Sequence, residues 1–413
     1  MRIAVIGSGI SGLGAAYALR QKHSVEVFEQ DTRAGGHTNT ISVETGARTL
    51  PLDTGFIVHS RPNYPNLVRL FDELGVRTQP SQMSFAVSCR GCGLEYSRRR
   101  PGAQRHSTES LSPAVGHREV HANSRGGSAV WPPRGIEGLT LDDYVRTERF
   151  SHDFRNHFLV PLTAALWSTS PQQSADFPID HAVRFFAHHC MLGFRRSTWR
   201  TVTGGAPTYV DAIVERLGDH VHLGRGVRRV VRTPHGAELT THDGEKQEFD
   251  AVVLATHADT SLALLADPSD EETRLLGSFP YTRNAAVLHA DASLLPRKRA
   301  ARASWNYQLA ACDSRSKEPT MTYYVNRLQG LSEAEHYCVT LNQATDIAES
   351  SVLERIEYEH PLFSAEGVRA QSQLGAIQGS RHTYFCGAWQ AFGFHEDGLT
   401  SGLRVAEALG ASW

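Results

Sequence analysis

The sequence predicts an α/β protein: a parallel sheet assembled from both ends of the chain, with an α+β part between them. Three observations predict it. The apolar run Arg2–Ile6 reads as a buried strand and breaks into Gly7-x-Gly9-x-x-Gly12, followed by a helical stretch, Gly12–Gln21. A second strand-like run, Ser24–Glu29, ends on an acid 22 residues after Gly7. Near the other end, Thr383–Trp389 reads as a strand entering a glycine turn, and Gly393–Gly402 leads into a helical Leu403–Leu409.

Each element of the first unit has a physical reason. Gly7 makes the tight turn, Gly9 lets backbone approach a pyrophosphate, and Gly12 lets helix and sheet pack closely. The helix start, with Ser11 in its first turn, offers unpaired N–H groups and a positive dipole end to phosphate. Glu29 stands where a carboxylate grips ribose hydroxyls. Together these form a Rossmann-type dinucleotide fingerprint. After the acid come Arg33, Gly35, Gly36, His37 and Thr38, then Asp53-Thr54-Gly55. A simple nicotinamide site does not need this second diglycine. A longer dinucleotide, whose pyrophosphate and ribityl chain run further past the sheet, does.

With R-x-G-G after the acid, the chain resembles the FAD-dependent oxidoreductases of the amine oxidase superfamily. It is similar in particular to the bacterial "predicted NAD/FAD-binding protein" group. The similarity runs through Asp53–Val76, Met83–Ser97, Leu166-Trp167-Ser168, Trp199–Tyr209, Ala251–Asp259 and Phe394–Gly402. The resemblance implies a glutathione-reductase-like FAD domain built from discontinuous segments, 1–79, 203–265 and 370–413. It also implies a substrate domain, 80–202 and 266–369, with a mixed sheet (Asn284–His289, Thr320–Val325, Tyr337–Leu341) and helices. It places Val227 at the adenine and Ala255-Thr256 near the pyrophosphate. Gly387, Glu396, Asp397, Gly398 and Ser401 fall in the C-terminal unit that covers the flavin. The group's association with cyclopropane-fatty-acyl synthase-like enzymes implies lipid acyl chains as substrates.

Composition agrees. The chain has 413 residues, 40% hydrophobic and 21% charged, with a formal charge of −2, which gives no case for nucleic acid. A strand at Arg2 leaves no room for a signal peptide, and no long apolar run spans a membrane, so a cytoplasmic place, or one peripheral to the inner membrane, is expected. Leu141–His157 and His181–Cys190 are helical candidates, and Ala300–Tyr307 a further strand or loop. Residues 98–134, rich in Arg, His, Ser, Pro and Gly, are expected to be irregular, with a lid on lipid headgroups as the sharper reading.

For chemistry, Trp389, His395 and Glu396 are the polar residues expected near the ring, His395 as a proton acceptor or ring neighbour. Trp167, Trp199, Trp305, Tyr323 and Tyr324 are expected to line the substrate cavity. No cysteine has a clear attachment context, so FAD is expected to be non-covalent. No metal is expected. His188-His189 point apart on a helix, and Cys89-Arg90-Gly91-Cys92 lacks a second pair at ligand spacing, so it reads as structural thiols or a redox pair. Dehydrogenation of an apolar lipid chain suits this inventory best. Flavin amine oxidation is the alternative, weakened because Lys298 sits in the charged run Pro296–Arg299. A non-catalytic lipid carrier is the third. Oligomeric state is left open.

Overall fold

A computed structural model describes residues 1–46, 48–97, 135–189, 198–312, 319–342 and 347–413. Residues 98–134 and Cys190 lie outside these. The first strand, β1 (Arg2–Ile6), is buried after its first residue. Helix α1 (Ile10–Leu19) starts two residues before the expected Gly12, with extended Gly9 as its N-cap. It is buried along its length because the sheet covers one side and the C-terminal helix the other. Strand β2 (Ser24–Phe28) pairs parallel with β1, placing Ile3 opposite Val25.

The first sheet has five parallel strands in the order Val221–His222, β2, β1, Ala251–Leu254, Thr383–Phe385. Three distant stretches of sequence therefore meet around β1. Their apolar side chains form two cores, one on each face of the sheet. The C-terminal helix runs from His395 to Ala408, beginning well before the expected Leu403. Gly398 and Gly402 lie inside this helix, where glycine is ordinarily weakening. Here they permit contact with α1. A Cβ on Gly402 would stand 2.2 Å from the Ser11 carbonyl oxygen, and one on Gly14 only 2.4 Å from Leu399 Cδ1.

The second sheet has seven strands in the order Val352–Pro361, Tyr281–His289, Cys338–Leu341, Thr320–Tyr324, Trp305–Leu309, Phe85–Cys89, Glu95–Ser97. Its pairs are antiparallel except the parallel pair Trp305–Leu309 and Phe85–Cys89, so the sheet is mixed. Of Ala300–Tyr307, expected as a strand or loop, the part from Trp305 onward belongs to the strand Trp305–Leu309. Helices Leu141–Thr147, Val160–Trp167 and Ile179–His188 form a layer with an aromatic core of its own. The single helix expected over Leu141–His157 is broken. Arg149 adopts φ 55, Ser151 caps a new turn, and Arg155–Leu159 is a π turn. A small sheet of His59–Ser60, Trp199–Val202 and Thr78–Pro80, with helix α2 (Pro65–Leu74), lies beside these parts. Among the described residues no helix is long and apolar enough to cross a membrane.

Candidate functional site

The C-terminal ends of β1, β2 and Ala251–Leu254 open onto a cavity of about 2110 Å³. Gly7, Gly9, Ser11, Glu29, Arg33, Gly35, Gly36, His37, Gly55, Val227, Ala255, Thr256 and Gly387 all line it, as do Trp389 and His395. It continues past Phe85, Leu162, Leu166, Trp199, Trp305 and Tyr323 of the second part. Its volume is about twice the upper range of an ordinary small-ligand pocket, enough for a dinucleotide and a further molecule.

The glycine-rich end of the cavity is held by short contacts. Glu29 Oε2 accepts from Ser8 N at 2.8 Å and Ser8 Oγ at 2.6 Å, while Oε1 accepts from Asp31 N at 3.0 Å. Gly35 N donates to Ser8 O at 3.0 Å, so the diglycine loop is fastened over the first turn. Arg33 donates to the carbonyls of Gly36 (2.8 Å) and Thr38 (3.1 Å), pinning the loop from its side. Gly9 itself is not demanded by the protein. Its φ of −65° and ψ of 175° are open to any residue, and a Cβ there would meet nothing within 4 Å. That bare space lies at the start of α1, where a phosphate is best placed.

Several expected site residues lie behind the wall. Thr38 is buried against Tyr209 and His395. Gly12 is buried under the first turn, its missing Cβ 1.9 Å from Gly7 O. Asp53 does not line the cavity. It is buried, and its Oδ1 accepts from Thr40 Oγ1 (2.5 Å) and Ala206 N (2.9 Å). Burial raises its pKa to about 7. Asp397 Oδ2 accepts from Phe394 N at 2.9 Å, and burial raises it too to about 7. Ser401 Oγ accepts from Gly387 N at 2.9 Å, tying the C-terminal helix to the strand before it, and Gly398 packs on Ile10 and Ser11.

Of the three residues expected near the ring, two have other contacts. Glu396 accepts from Asn66 N (2.9 Å) and Leu67 N (3.0 Å), so it caps the start of α2. Replacing Glu396 with alanine is expected to destabilise the protein by about 1–2 kcal/mol through this lost cap. Thermal unfolding should show the drop while flavin content stays unchanged. Trp389 lines the cavity but is buried against Phe279, ring centroids 4.9 Å apart. His395 does face the cavity. It stacks on Phe56 at 3.8 Å, and its Nε2 pairs with Tyr209 OH at 2.6 Å. Burial lowers its pKa to about 3, so at neutral pH it is an uncharged, hydrogen-bonded ring and a weak proton acceptor.

At the far end Trp199, Trp305 and Tyr323 line the cavity, but Trp167 and Tyr324 do not. Trp167 packs on Phe177 and Phe185 and donates to Phe392 O at 3.0 Å. Tyr324 pairs with His336 at 2.7 Å. Lys298 is exposed and lies off the cavity, its backbone N–H directed at Glu95. Sequence reasoning missed His257, His360 and Tyr358, which surround His37, and Arg200 and Arg327 at the far end. His257 directly follows the strand-end pair Ala255-Thr256 and carried that signal; His360 carried none.

A family model described as flavin containing amine oxidoreductase matches residues 10–410. The chain belongs to that family. A Mycobacterium tuberculosis protein named "Putative flavin-containing monoamine oxidase AofH" is 28% identical over 280 residues, 64% of this chain. The match spans 59% of that relative's length. Among solved structures, putrescine oxidase bound to putrescine aligns over the full length of both chains with a TM-score of 0.70 and 16% identity. Cyclohexylamine oxidase from Brevibacterium oxydans IH-35A aligns over 99% of this chain and 98% of its own, TM-score 0.71, 16% identity. A fatty acid isomerase from P. acnes, described as producing CLA, aligns over 99% and 98%, TM-score 0.68, 14% identity.

The residues of this flavin-containing amine oxidoreductase family member fit the group that the family name implies. Open space stands over Gly9, the start of α1 faces it, and Glu29 lines the same end. The buried Nε2 of His37, which lines the cavity, has no hydrogen-bond partner among the described residues.

Proposed function

We propose that this chain is an FAD-dependent oxidoreductase that holds its flavin non-covalently and dehydrogenates an apolar, carboxylate-bearing lipid chain. The observation that carries the reading is the single cavity joining the Gly9–Glu29 cradle to an apolar far end. None of the described cysteines lines that cavity, which supports non-covalent binding. When bound, the flavin supplies the acceptor for two electrons.

The chain's own residues do the rest. Phe85, Leu162, Leu166, Leu341 and Ile356 exclude water from the substrate end. The C-terminal helix begins at the cavity wall, where its positive end favours negative charge. Among the described residues that line the cavity, the charged ones next to Pro80–Gln82 are Arg200 and Arg327. Arg200 pairs across the small sheet with Pro80, and Arg327 O accepts from Gln82 N. Among the described residues the cavity's carboxylates lie elsewhere: Glu29 and Asp31 at the glycine-rich end, Glu357 and Glu359 beside Arg283 at 3.6 and 3.2 Å. Arg200 Nε donates to Thr78 Oγ1 at 2.7 Å, which holds that guanidinium at the small sheet, and a cationic far end suits a carboxylate headgroup and repels an ammonium ion.

The relative's name and the amine oxidases of this fold favour amine oxidation as the second reading. Anaerobic mixing with a panel of primary amines and unsaturated or branched fatty acids tests both. Bleaching of the flavin by fatty acids alone supports the proposal, and bleaching by amines alone overturns it. Arg327→Gln is expected to raise KM for a fatty acid about 10–100-fold, the worth of one charged hydrogen bond, with a smaller change in kcat.

A further inference from the structure

Away from the cavity's cradle, four soft donors converge. Cys89 ends the strand Phe85–Cys89, and Cys92 follows across a tight turn closed by Gly93 N donating to Cys89 O at 2.9 Å. Cys312 arrives beyond the parallel strand Trp305–Leu309, in which Leu309 lies opposite Cys89. The turn sits directly on its backbone, since a Cβ on Gly91 would stand 3.1 Å from Cys312 N. Asn156 Nδ2 donates to Cys312 O at 3.0 Å. The fourth donor is His157, buried in the π turn Arg155–Leu159, an irregularity common where a helix delivers a functional side chain.

The distances match a metal. Cys89 Sγ lies 3.7 Å from Cys312 Sγ, and Cys92 Sγ lies 3.7 Å from His157 Nε2. All four donor atoms lie within 4.8 Å of one another. Zinc bonded to sulfur at about 2.3 Å and to imidazole at about 2.0 Å sits in a tetrahedron with edges of about 3.5–3.8 Å. A disulfide would instead need about 2.05 Å. Asp153 Oδ1 lies 3.7 Å from His157 Nδ1, on the side that leaves Nε2 turned to the thiols.

We propose that Cys89, Cys92, Cys312 and His157 form a structural zinc site holding one Zn²⁺. Loading releases the three thiol protons to solvent and leaves His157 neutral, a Cys3His set with no open position for a substrate. The site ties the hairpin Phe85–Ser97 and the helical layer to the strand Trp305–Leu309. Tyr96 OH donates to His157 O at 2.7 Å, and Tyr96 and Phe158 line the cavity, so the metal braces its substrate end. The inference stands apart from the flavin reading.

Metal analysis of the full chain, purified without chelator from zinc-supplemented culture, tests it. The expected result is one zinc per chain, falling to background in Cys312→Ser and in Cys92→Ser, whose parent side chain is exposed. After stripping, the wild-type chain should take up cobalt(II) with the visible spectrum of a tetrahedral thiolate site. That measurement needs no variant to fold. A metal-free protein that takes up no cobalt overturns the proposal. So does an octahedral cobalt spectrum, or a disulfide among these cysteines in non-reducing peptide maps.

Discussion

Gly9→Val is expected to yield a folded, colourless protein. Valine adopts the backbone angles of Gly9 without strain, and its Cβ points into open cavity. The change at the helix N-cap costs about 1 kcal/mol or less, because glycine makes no side-chain cap bond there. What the added methyls do obstruct is the approach of a pyrophosphate to bare amides at the start of α1. The neighbouring glycines would not make this test. Gly12→Val drives a Cβ to 1.9 Å from Gly7 O, and Gly7 itself sits at φ 101°, so either change damages the fold first. The flavin-to-protein absorbance ratio measures the outcome, with circular dichroism and the thermal midpoint to check folding. A Gly9→Val protein with full flavin content would sink the assigned cradle.

The parts of the site legible in the sequence are those built from neighbours along the chain. Gly7, Gly9 and Glu29 are set by one strand–helix–strand unit, where local pattern fixes geometry. Legibility ends where a residue's partner comes from elsewhere. Gly398 and Gly402 stand ahead of the expected helix Leu403–Leu409, because the α1 surface that makes small residues necessary within it is nearly four hundred positions away. Glu396 looked like a group for the cofactor, and its two acceptor bonds go to the start of α2 instead. Trp167 had the composition of a pocket wall and became the centre of an aromatic core. The cysteine cluster is the extreme case. His157 stands 65 positions from Cys92, and Cys312 stands 223 from Cys89, so no spacing rule could assemble them.

Asp53 makes the second large prediction, one of stability against pH. It lies where three stretches meet: its backbone N–H donates to Gln329 Oε1 at 3.0 Å, and its carboxyl receives Thr40 Oγ1 and Ala206 N. Its other oxygen, Oδ2, is buried without a partner among the described residues. Burial raises its pKa from 3.8 to about 7, so between pH 4 and 7 the folded chain holds a proton that the unfolded chain has released. Stability from this group is therefore greatest at low pH and falls as pH rises through that window, by up to about 4 kcal/mol at about 1.4 kcal/mol per unit. Asp53→Asn cannot ionise and keeps an acceptor for Thr40 and Ala206, but it buries an unpaired amide N–H₂ at a cost of about 1–3 kcal/mol. The variant should be less stable than the parent near pH 4.5 and more stable near pH 8. The difference between the two curves is the proper readout. Buried histidines such as His59, lowered to about 4, and His181, lowered to about 3, make the parent's own stability rise with pH and mask the effect. Urea midpoints for both proteins at several pH values supply that difference. A difference that stays flat from pH 4 to 8 would mean Asp53 is charged and solvated in the folded protein, and the buried seam around it would have to be redrawn.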